Sequence, residues 1–188
     1  MRLDHIAYRT LDRDAAAEFF CKILGYKVDL ELPEGFDIQF EDGTNAKCLV
    51  LKPPEDFKSF EQMNLIQDSL VADSALYGYH KPPEIFVSDG DENSIVSDWV
   101  ARNGPGIHHL AYEVESVADT MKLWKAQGIE FTTEYPLQCP GLVQAFTKPN
   151  PVTGIIYEII EREAQGFCKD NVRDLMNSTK ALNKESKG

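Results

Sequence analysis

The sequence predicts an α+β fold in which two βαβββ modules close a single domain around a central cleft. Three observations lead there. The stretch Leu3-Asp-His-Ile-Ala-Tyr-Arg-Thr10 returns as Gly104-Pro-Gly-Ile-His-His-Leu-Ala-Tyr-Glu-Val114, so that each copy reads His, branched aliphatic, Ala, Tyr. Each copy is followed by an amphipathic run ending at a glycine, Gly25 twenty residues beyond His5 and Gly128 nineteen beyond His109. Each module also ends on an apolar segment carrying one acid, Glu84 in Pro-Glu-Ile-Phe86 and Glu158 in Tyr-Glu-Ile-Ile160.

Residues 3–9 alternate as a strand. Leu11-Asp-Arg-Asp14 supplies helix-start chemistry, Phe19, Phe20, Ile23 and Leu24 form one apolar stripe, and Gly25 stops the helix. Strands follow at 26–32, 36–41 and 46–52, divided by turn signals at Pro33-Glu-Gly35 and Asp42-Gly-Thr-Asn45. Paired prolines bracket an insertion, 53–81, which has no counterpart in the second half and reads equally as a lid or as cover for a sheet edge. The strand 84–87 completes module one, which spans 1–90. A linking helix over 93–103, with Ile95, Val96, Trp99 and Val100 at helical spacing, stops at Gly104-Pro-Gly106. Module two, 104–162, repeats the order: strand 108–115, helix 116–127 with Met121 and Trp124 inward, then strands 129–134, 141–147 and 154–161. The domain so drawn covers 1–165, and the tail 166–188 carries a short closing helix before a polar end.

Composition narrows the partners. With 43% hydrophobic and 10% aromatic residues, the 188-residue chain can bury one core. A net charge of −12, from 19 basic against 31 acidic residues and without a basic run, opposes binding to nucleic acid or to anionic membranes. No apolar stretch approaches the ~20 residues that span a bilayer. Cys21, Cys48, Cys139 and Cys168 stand far apart without a CxxC pair, and no apolar secretory segment leads the chain, so free thiols in a cytoplasmic protein are expected.

Alternation sets His5 and His109 on the same face of their strands as Ala7 and Ala111, with Ile6 and Leu110 on the other. If the modules pair about a pseudo-twofold axis, the two imidazoles meet in one site. Two His and one carboxylate from separate strands make a facial triad that holds a divalent cation with positions left open. That arrangement serves non-haem iron(II) oxygen chemistry or Lewis-acid enolisation. His5, His109 and Glu158 are the expected ligands. Imidazole and carboxylate suit iron, cobalt, nickel, manganese or zinc, and no Cys occupies the symmetric positions to build a closed zinc site. A lone strand His is more often a packed core residue, and a lone Glu more often faces water. Repetition of both at matched offsets favours a site. Glu84, the counterpart of Glu158 by position in its strand, is a candidate fourth ligand or base. His108 alternates away from His109 and is expected as a packed imidazole beside the site, while Tyr8 and Tyr112 read as core aromatics and His80 as structural. No phosphate loop, GxSxG elbow or CxxC is present.

Taken together, Leu3-Asp-His-Ile, Ile-Leu-Gly25, Gly-Ile-His-His-Leu-Ala111 and Gly154-Ile-Ile-Tyr-Glu158 resemble the vicinal oxygen chelate superfamily, over most of the chain except 53–81. That resemblance implies paired βαβββ modules curled around a metal. Within it, Val143-Gln-Ala-Phe-Thr-Lys-Pro149, Glu158-Ile-Ile-Glu-Arg162 and Gln165-Gly-Phe167 look like the catalytic C-terminal half of 4-hydroxyphenylpyruvate dioxygenases. The resemblance implies that Gln144, Phe146 and Phe167 contact substrate and that the tail helix closes over it. Three departures point to a different 2-oxo acid: the N-terminal half of that family is missing, and Val172 and Cys168 replace an expected aromatic and glycine.

The rival resemblance is to methylmalonyl-CoA epimerases and glyoxalase-like relatives, which share the Gly-Ile-His-His motif. Three protein ligands leave an octahedral cation three sites, enough for a bidentate 2-oxo acid and dioxygen; a fourth from Glu84 leaves two, suited to an enolate chelate. A small-molecule substrate, 2-oxo acid or acyl compound, is the expected partner, and a homodimer is one assembly this reading allows. A binding protein of the same fold, without catalysis, is the third reading.

Overall fold

A computed structural model of the chain describes residues 1–54, 82–163 and 168–180. From residue 55 onward the expected insertion lies outside the described residues, and so do 164–167, including Phe167, and the end of the tail.

In β1 (Arg2–Arg9) the buried positions His5, Ala7 and Arg9 alternate with Ile6 and Tyr8, which pack against α1 (Arg13–Leu24). The helix starts where the Ala15 amide donates to Asp12 at 2.9 Å and stops at Gly25, whose φ of 74° is resisted by any residue with a Cβ. Its inward line is Ala16, Ala17, Phe20 and Cys21. The expected stripe is therefore rotated, and Phe19, Ile23 and Leu24 are exposed. The strand expected over 26–32 shortens to β2 (Lys27–Val28), because Asp29 accepts the Glu31 amide and turns the chain. β3 (Phe36–Gln39), β4 (Asn45–Lys52) and β5 (Glu84–Gly90) follow, and α2 (Ile95–Asn103) is capped by Ser94 and ends at Gly104.

Module two repeats the pattern with β6 (Gly106–Glu113), α3 (Val117–Ala126), β7 (Leu137–Cys139), β8 (Leu142–Phe146) and β9 (Ile156–Arg162). The strand expected over 129–134 reduces to one bridge, Phe131 to Thr147, with Phe131 drawn into the core beneath α3. Unanticipated, β7 forms where Gly141, at φ 76°, reverses the chain into β8. The closing helix of the tail is α4 (Lys169–Ser178). No described helix is long and apolar enough to cross a membrane.

The strands form one sheet in the order β2-β4-β5-β1-β6-β9-β8-β7, with β3 also paired to β4. β1 and β6 run antiparallel at its centre, and each is parallel to the last strand of its own module, β5 or β9. Exchanging β1 with β6, β5 with β9 and β4 with β8 relates the halves. Helices α1 and α3 cover one face through separate apolar clusters. On the other face, Ala7, Val50 and Phe86 pack with Ile95 and Val96 of α2 and with Val172 and Met176 of α4.

Two bulges break the central ladder at symmetric places. Between Leu3 opposite Tyr112 and His5 opposite Ala111, Asp4 is the extra residue; between Ala7 opposite His109 and Tyr8 opposite Ile107, it is His108. A bulge puts two consecutive side chains on the buried side, so Asp4 and His5 are both buried, as are His108 and His109. Simple alternation had sent His108 to the opposite face from His109, and the bulge corrects that.

Candidate metal centre

His5 from β1, His109 from β6 and Glu158 from β9 converge at the centre of the sheet. Each offers one ligand atom within 4.8 Å of the others, and all three residues are buried. His5 Nε2 and His109 Nε2 lie 3.3 and 3.1 Å from Glu158 Oε2 and 3.4 Å from one another. Register explains the meeting: His5 pairs with Ala111, His109 with Ala7, and Ala111 with Glu158, so small side chains alternate with donors and leave room between them.

The bulged residues hold the ring nitrogens that face away from this point. His5 Nδ1 donates to Asp4 Oδ2 at 2.8 Å, and the Asp4 carboxylate is paired in turn with Arg162. His109 Nδ1 stands 2.8 Å from His108 Nδ1. His108 is neutral, since burial and the positive field of Arg9 hold its pKa well below the usual imidazole value. With His109 donating from Nδ1 and His108 accepting, the Nε2 atoms of both triad imidazoles face the meeting point.

Burial opposes charge on His5, but hydrogen bonds to Asp4 and Glu158 and the fields of the two carboxylates prevail and raise its pKa to about 9. His109 moves down, because burial dominates and His5 and Arg9 repel a second positive charge. For Glu158 burial is again the largest influence, yet the two imidazoles overcome it and bring the carboxyl down to about 2. Asp4 is likewise lowered to about 2, with His5 and Arg162 outweighing burial. Two imidazole nitrogens and a buried carboxylate oxygen form a donor set that fits iron(II), cobalt, nickel, manganese or zinc.

Glu84 is placed elsewhere. Its oxygens contact Lys52 at 2.7 Å and Arg162 at 3.2 Å, and it is not among the triad's donors. Register also corrects its pairing with Glu158. His5 is opposite Glu84 on β5 as His109 is opposite Ile156 on β9, whereas Ala7 is opposite Phe86 as Ala111 is opposite Glu158. The symmetric counterpart of Glu158 is therefore Phe86, whose ring cannot coordinate.

Gln144 and Phe146 of β8 stand beside the triad, with the Phe146 ring 4.6 Å from that of His109 and in register with Glu158. Together with the triad they line a cavity of about 30 Å³, which Val172, Leu175 and Met176 of α4 close. That volume holds about two waters. A larger ligand enters only if α4 yields.

Arg9 also lines the cavity, and sequence reasoning passed over it. The signal was present: His5, Ala7 and Arg9 recur every second residue, so a guanidinium sits on the inward face of β1. Only 2% of Arg9 is exposed, its Nη1 donates to the Ile95 carbonyl at 3.3 Å, and it lies over the Trp99 ring. Burial lowers its pKa to about 9, which leaves it charged at neutral pH. Asp4 was missed for another reason, since a bulge carries no signature in a sequence, and Arg162 of β9 joins the site through the carboxylate that this bulge turns inward.

A family model for the glyoxalase/bleomycin resistance protein/dioxygenase superfamily matches residues 4–139, and the chain belongs to that superfamily. The match holds His5 and His109 and ends before Glu158. Among solved structures, the chain is similar to a triple mutant of 4-hydroxymandelate synthase from Streptomyces coelicolor, with a TM-score of 0.69 and 17% identity over 97% of this chain and 54% of that one. It is similar also to methylmalonyl-CoA epimerase from Mycobacterium tuberculosis, with a TM-score of 0.54 and 20% identity over 87% and 89%. A hypothetical protein from Bacillus halodurans gives 0.58 and 20% over 89% and 98%. The chain thus spans about half of the synthase and nearly all of the other two. No curated protein matches it.

Proposed function

We propose that the chain is a metal-dependent enzyme of the non-haem iron(II) dioxygenase type acting on a small 2-oxo acid, with His5, His109 and Glu158 holding the ion. One observation carries the reading: Phe86 occupies the position symmetric to Glu158, so module one supplies no fourth donor there. A bound iron(II) would supply three open coordination positions and the one-electron chemistry that oxygen activation needs. The chain's own residues do the rest. Asp4 and His108 fix the imidazoles, Phe86 and Phe146 offer apolar walls, and Gln144, whose Nε2 is buried without a partner, offers a donor to substrate oxygen. Phe167 remains a proposed substrate contact on the resemblance alone.

A metal-assisted epimerase is the competing reading, and it needs a free base beside the substrate. Glu158 is engaged by two imidazoles and Glu84 by Lys52 and Arg162. Elemental analysis of purified protein followed by anaerobic addition of iron(II) and 2-oxo acids tests the choice. A visible charge-transfer band and oxygen uptake on admitting air are expected. Solvent deuterium exchange next to a carbonyl, persisting without oxygen, would transfer the assignment to the epimerase, and a protein that takes up no metal would be a binding module.

A further inference from the structure

We propose that Arg9, with His108 beside it, is the carboxylate-recognition corner of this cavity, and that the substrate carries a second anionic carboxylate besides the atoms that reach the metal. The inference rests on the metal-site reading above and extends it to the class of substrate.

Arg9 Nη2 is fully buried and has no hydrogen-bond partner, and no carboxylate among the described residues pairs with the guanidinium. Buried cations are ordinarily matched by an anion, because removal from water is costly when nothing replaces the hydration. None of the acidic side chains among the described residues is placed there. Glu158, the carboxylate that shares the cavity, is taken up by His5 and His109.

Arg9 is also held in place. Its Nη1 is fixed on the Ile95 carbonyl and its guanidinium lies 5.8 Å above the Trp99 ring, so one arm is anchored to α2 and the other is free. Trp99 meets His108 as well, with ring centroids 5.5 Å apart. His108 Nε2 is a second buried nitrogen without a partner in the same cavity. In the tautomer that lets His109 keep its Nε2 lone pair, that atom bears a proton. A guanidinium arm and an imidazole N–H, both without a partner, both beside Trp99 and both lining the cavity, are two donors that a carboxylate could accept.

Placement along β1 sets the geometry. Arg9 lies four residues from His5 on the same face, roughly 13 Å along a strand at about 3.3 Å per residue. Ala7 lies between them, and its small side chain packs beneath Val172 and Met176 of α4. Because both side chains reach into the same cavity, a diacid that displaces Val172, Leu175 and Met176 of α4 could present one end to the triad and the other to Arg9.

The test uses the full chain loaded with zinc and isothermal calorimetry with matched acids, 2-oxoglutarate against 2-oxopentanoate and 2-oxoadipate against 2-oxohexanoate, which differ only in the far carboxylate. Wild type should prefer at least one diacid by roughly 10- to 100-fold, the range of a charge-assisted hydrogen bond. Arg9→Gln should remove that preference without weakening the monoacids, and Arg9→Lys should restore part of it. Absence of a preference in wild type overturns the proposal whether or not the variants fold, and so does a preference that survives Arg9→Gln. Inorganic phosphate displacing the diacid more effectively than acetate would overturn the choice of a carboxylate.

A second arm separates this proposal from the metal reading. In metal-free protein, pentanoate binding followed by NMR should weaken about tenfold in Arg9→Gln. If it does while no 2-oxo acid gains affinity from zinc, the corner stands and the metal reading falls. If 2-oxo acids bind the zinc form equally with and without the far carboxylate, the metal reading stands and the corner falls.

Discussion

Asp4→Asn isolates what the carboxylate behind His5 contributes. In wild type the His5 Nδ1–H donates to an ionised oxygen over 2.8 Å in a buried setting. A hydrogen bond to an ionised acceptor is worth ~1.5–3 kcal/mol and one to a neutral acceptor ~0.5–1.5. The isosteric amide keeps a bond but forfeits about 1–2 kcal/mol of it, which is ~5- to 30-fold in the affinity of a cation held by His5 and lies near the usual range for residues that orient a ligand. A second effect opposes the first. Asp4 helps raise the His5 pKa to about 9, so at neutral pH wild type must release a proton to bind the ion, and the variant releases it more easily. Apparent zinc affinity of wild type should therefore climb with pH until about 9 and level off. The variant should level off at lower pH and on a plateau ~5- to 30-fold weaker. Competition against a chromophoric chelator from about pH 6 to about pH 10, with circular dichroism to confirm folding, reads both features. Plateaus equal within about twofold would refute the orienting role of Asp4, and identical pH profiles would refute its part in raising the His5 pKa.

Three further outcomes follow from the same coordinates. Zinc at about 100 times its dissociation constant should stabilise the protein by ~2.7 kcal/mol, a rise of ~5–11 °C in Tm for a chain of this length, reversed by chelator and absent in Glu158→Gln. Metal-free protein should be most stable near pH 6.5: the His5 contribution is complete below 6.5 and lost as pH rises through about 9, those of Asp4 and Glu158 are complete above 3.8 and 4.5 and lost as pH falls toward about 2, and the lowered pKa values of His108 and His109 withdraw stability as pH falls below 6.5. Urea unfolding across that range checks the shape. Gly35→Ala should cost more than about 2 kcal/mol, because φ is 71° and the new Cβ would meet the Cys48 carbonyl and come within 2.9 Å of Leu49 Cδ2. Gly43→Ala, at φ 82° with nothing nearby, should cost only ~1 kcal/mol, and equal midpoints would count against the clash.

The sequence made the fold legible wherever chemistry repeats locally. Gly25 and Gly104 closed their helices as expected, and the paired His motifs located the two central strands. It failed wherever a non-local partner decides. The segment 26–32 has strand composition, but Asp29 binds its own chain and ends the ladder at Val28. His108 could not be placed, because a bulge depends on the register between β1 and β6. Glu84 looked like the partner of Glu158 because both precede an aliphatic residue on a terminal strand. Cross-strand pairing shifts the equivalence by two residues, to Phe86. Arg9, in contrast, is legible in the alternation of β1, which puts its guanidinium on the same face as His5.

Divergence between the halves accounts for the sidedness of the site. The pair His5 and His109 is retained, while the three positions around it have separated. At the bulge, module one has the anion Asp4 and module two the neutral His108. On the terminal strand, module one has Phe86 and module two Glu158. Four residues beyond each His, module one has the buried Arg9, and module two has Glu113, which accepts from Arg2 at 2.6 Å outside the cavity. A symmetric site would offer either four protein donors and no wall, or two walls and only two imidazoles. Splitting Phe86 from Glu158 leaves three donors on one side of a would-be ion and an apolar surface on the other. Arg9 lies on β1, the strand paired with β5, and lines the cavity together with Phe86. In this arrangement Phe86 withholds a fourth ligand and supplies part of the apolar lining of the cavity that Arg9 shares. Phe86→Leu, which keeps the wall apolar, should consequently leave zinc affinity within about twofold of wild type while altering the fit of the diacid. A tenfold loss of zinc affinity in a folded Phe86→Leu protein would show that this ring supports the triad and would undo the division of labour argued here.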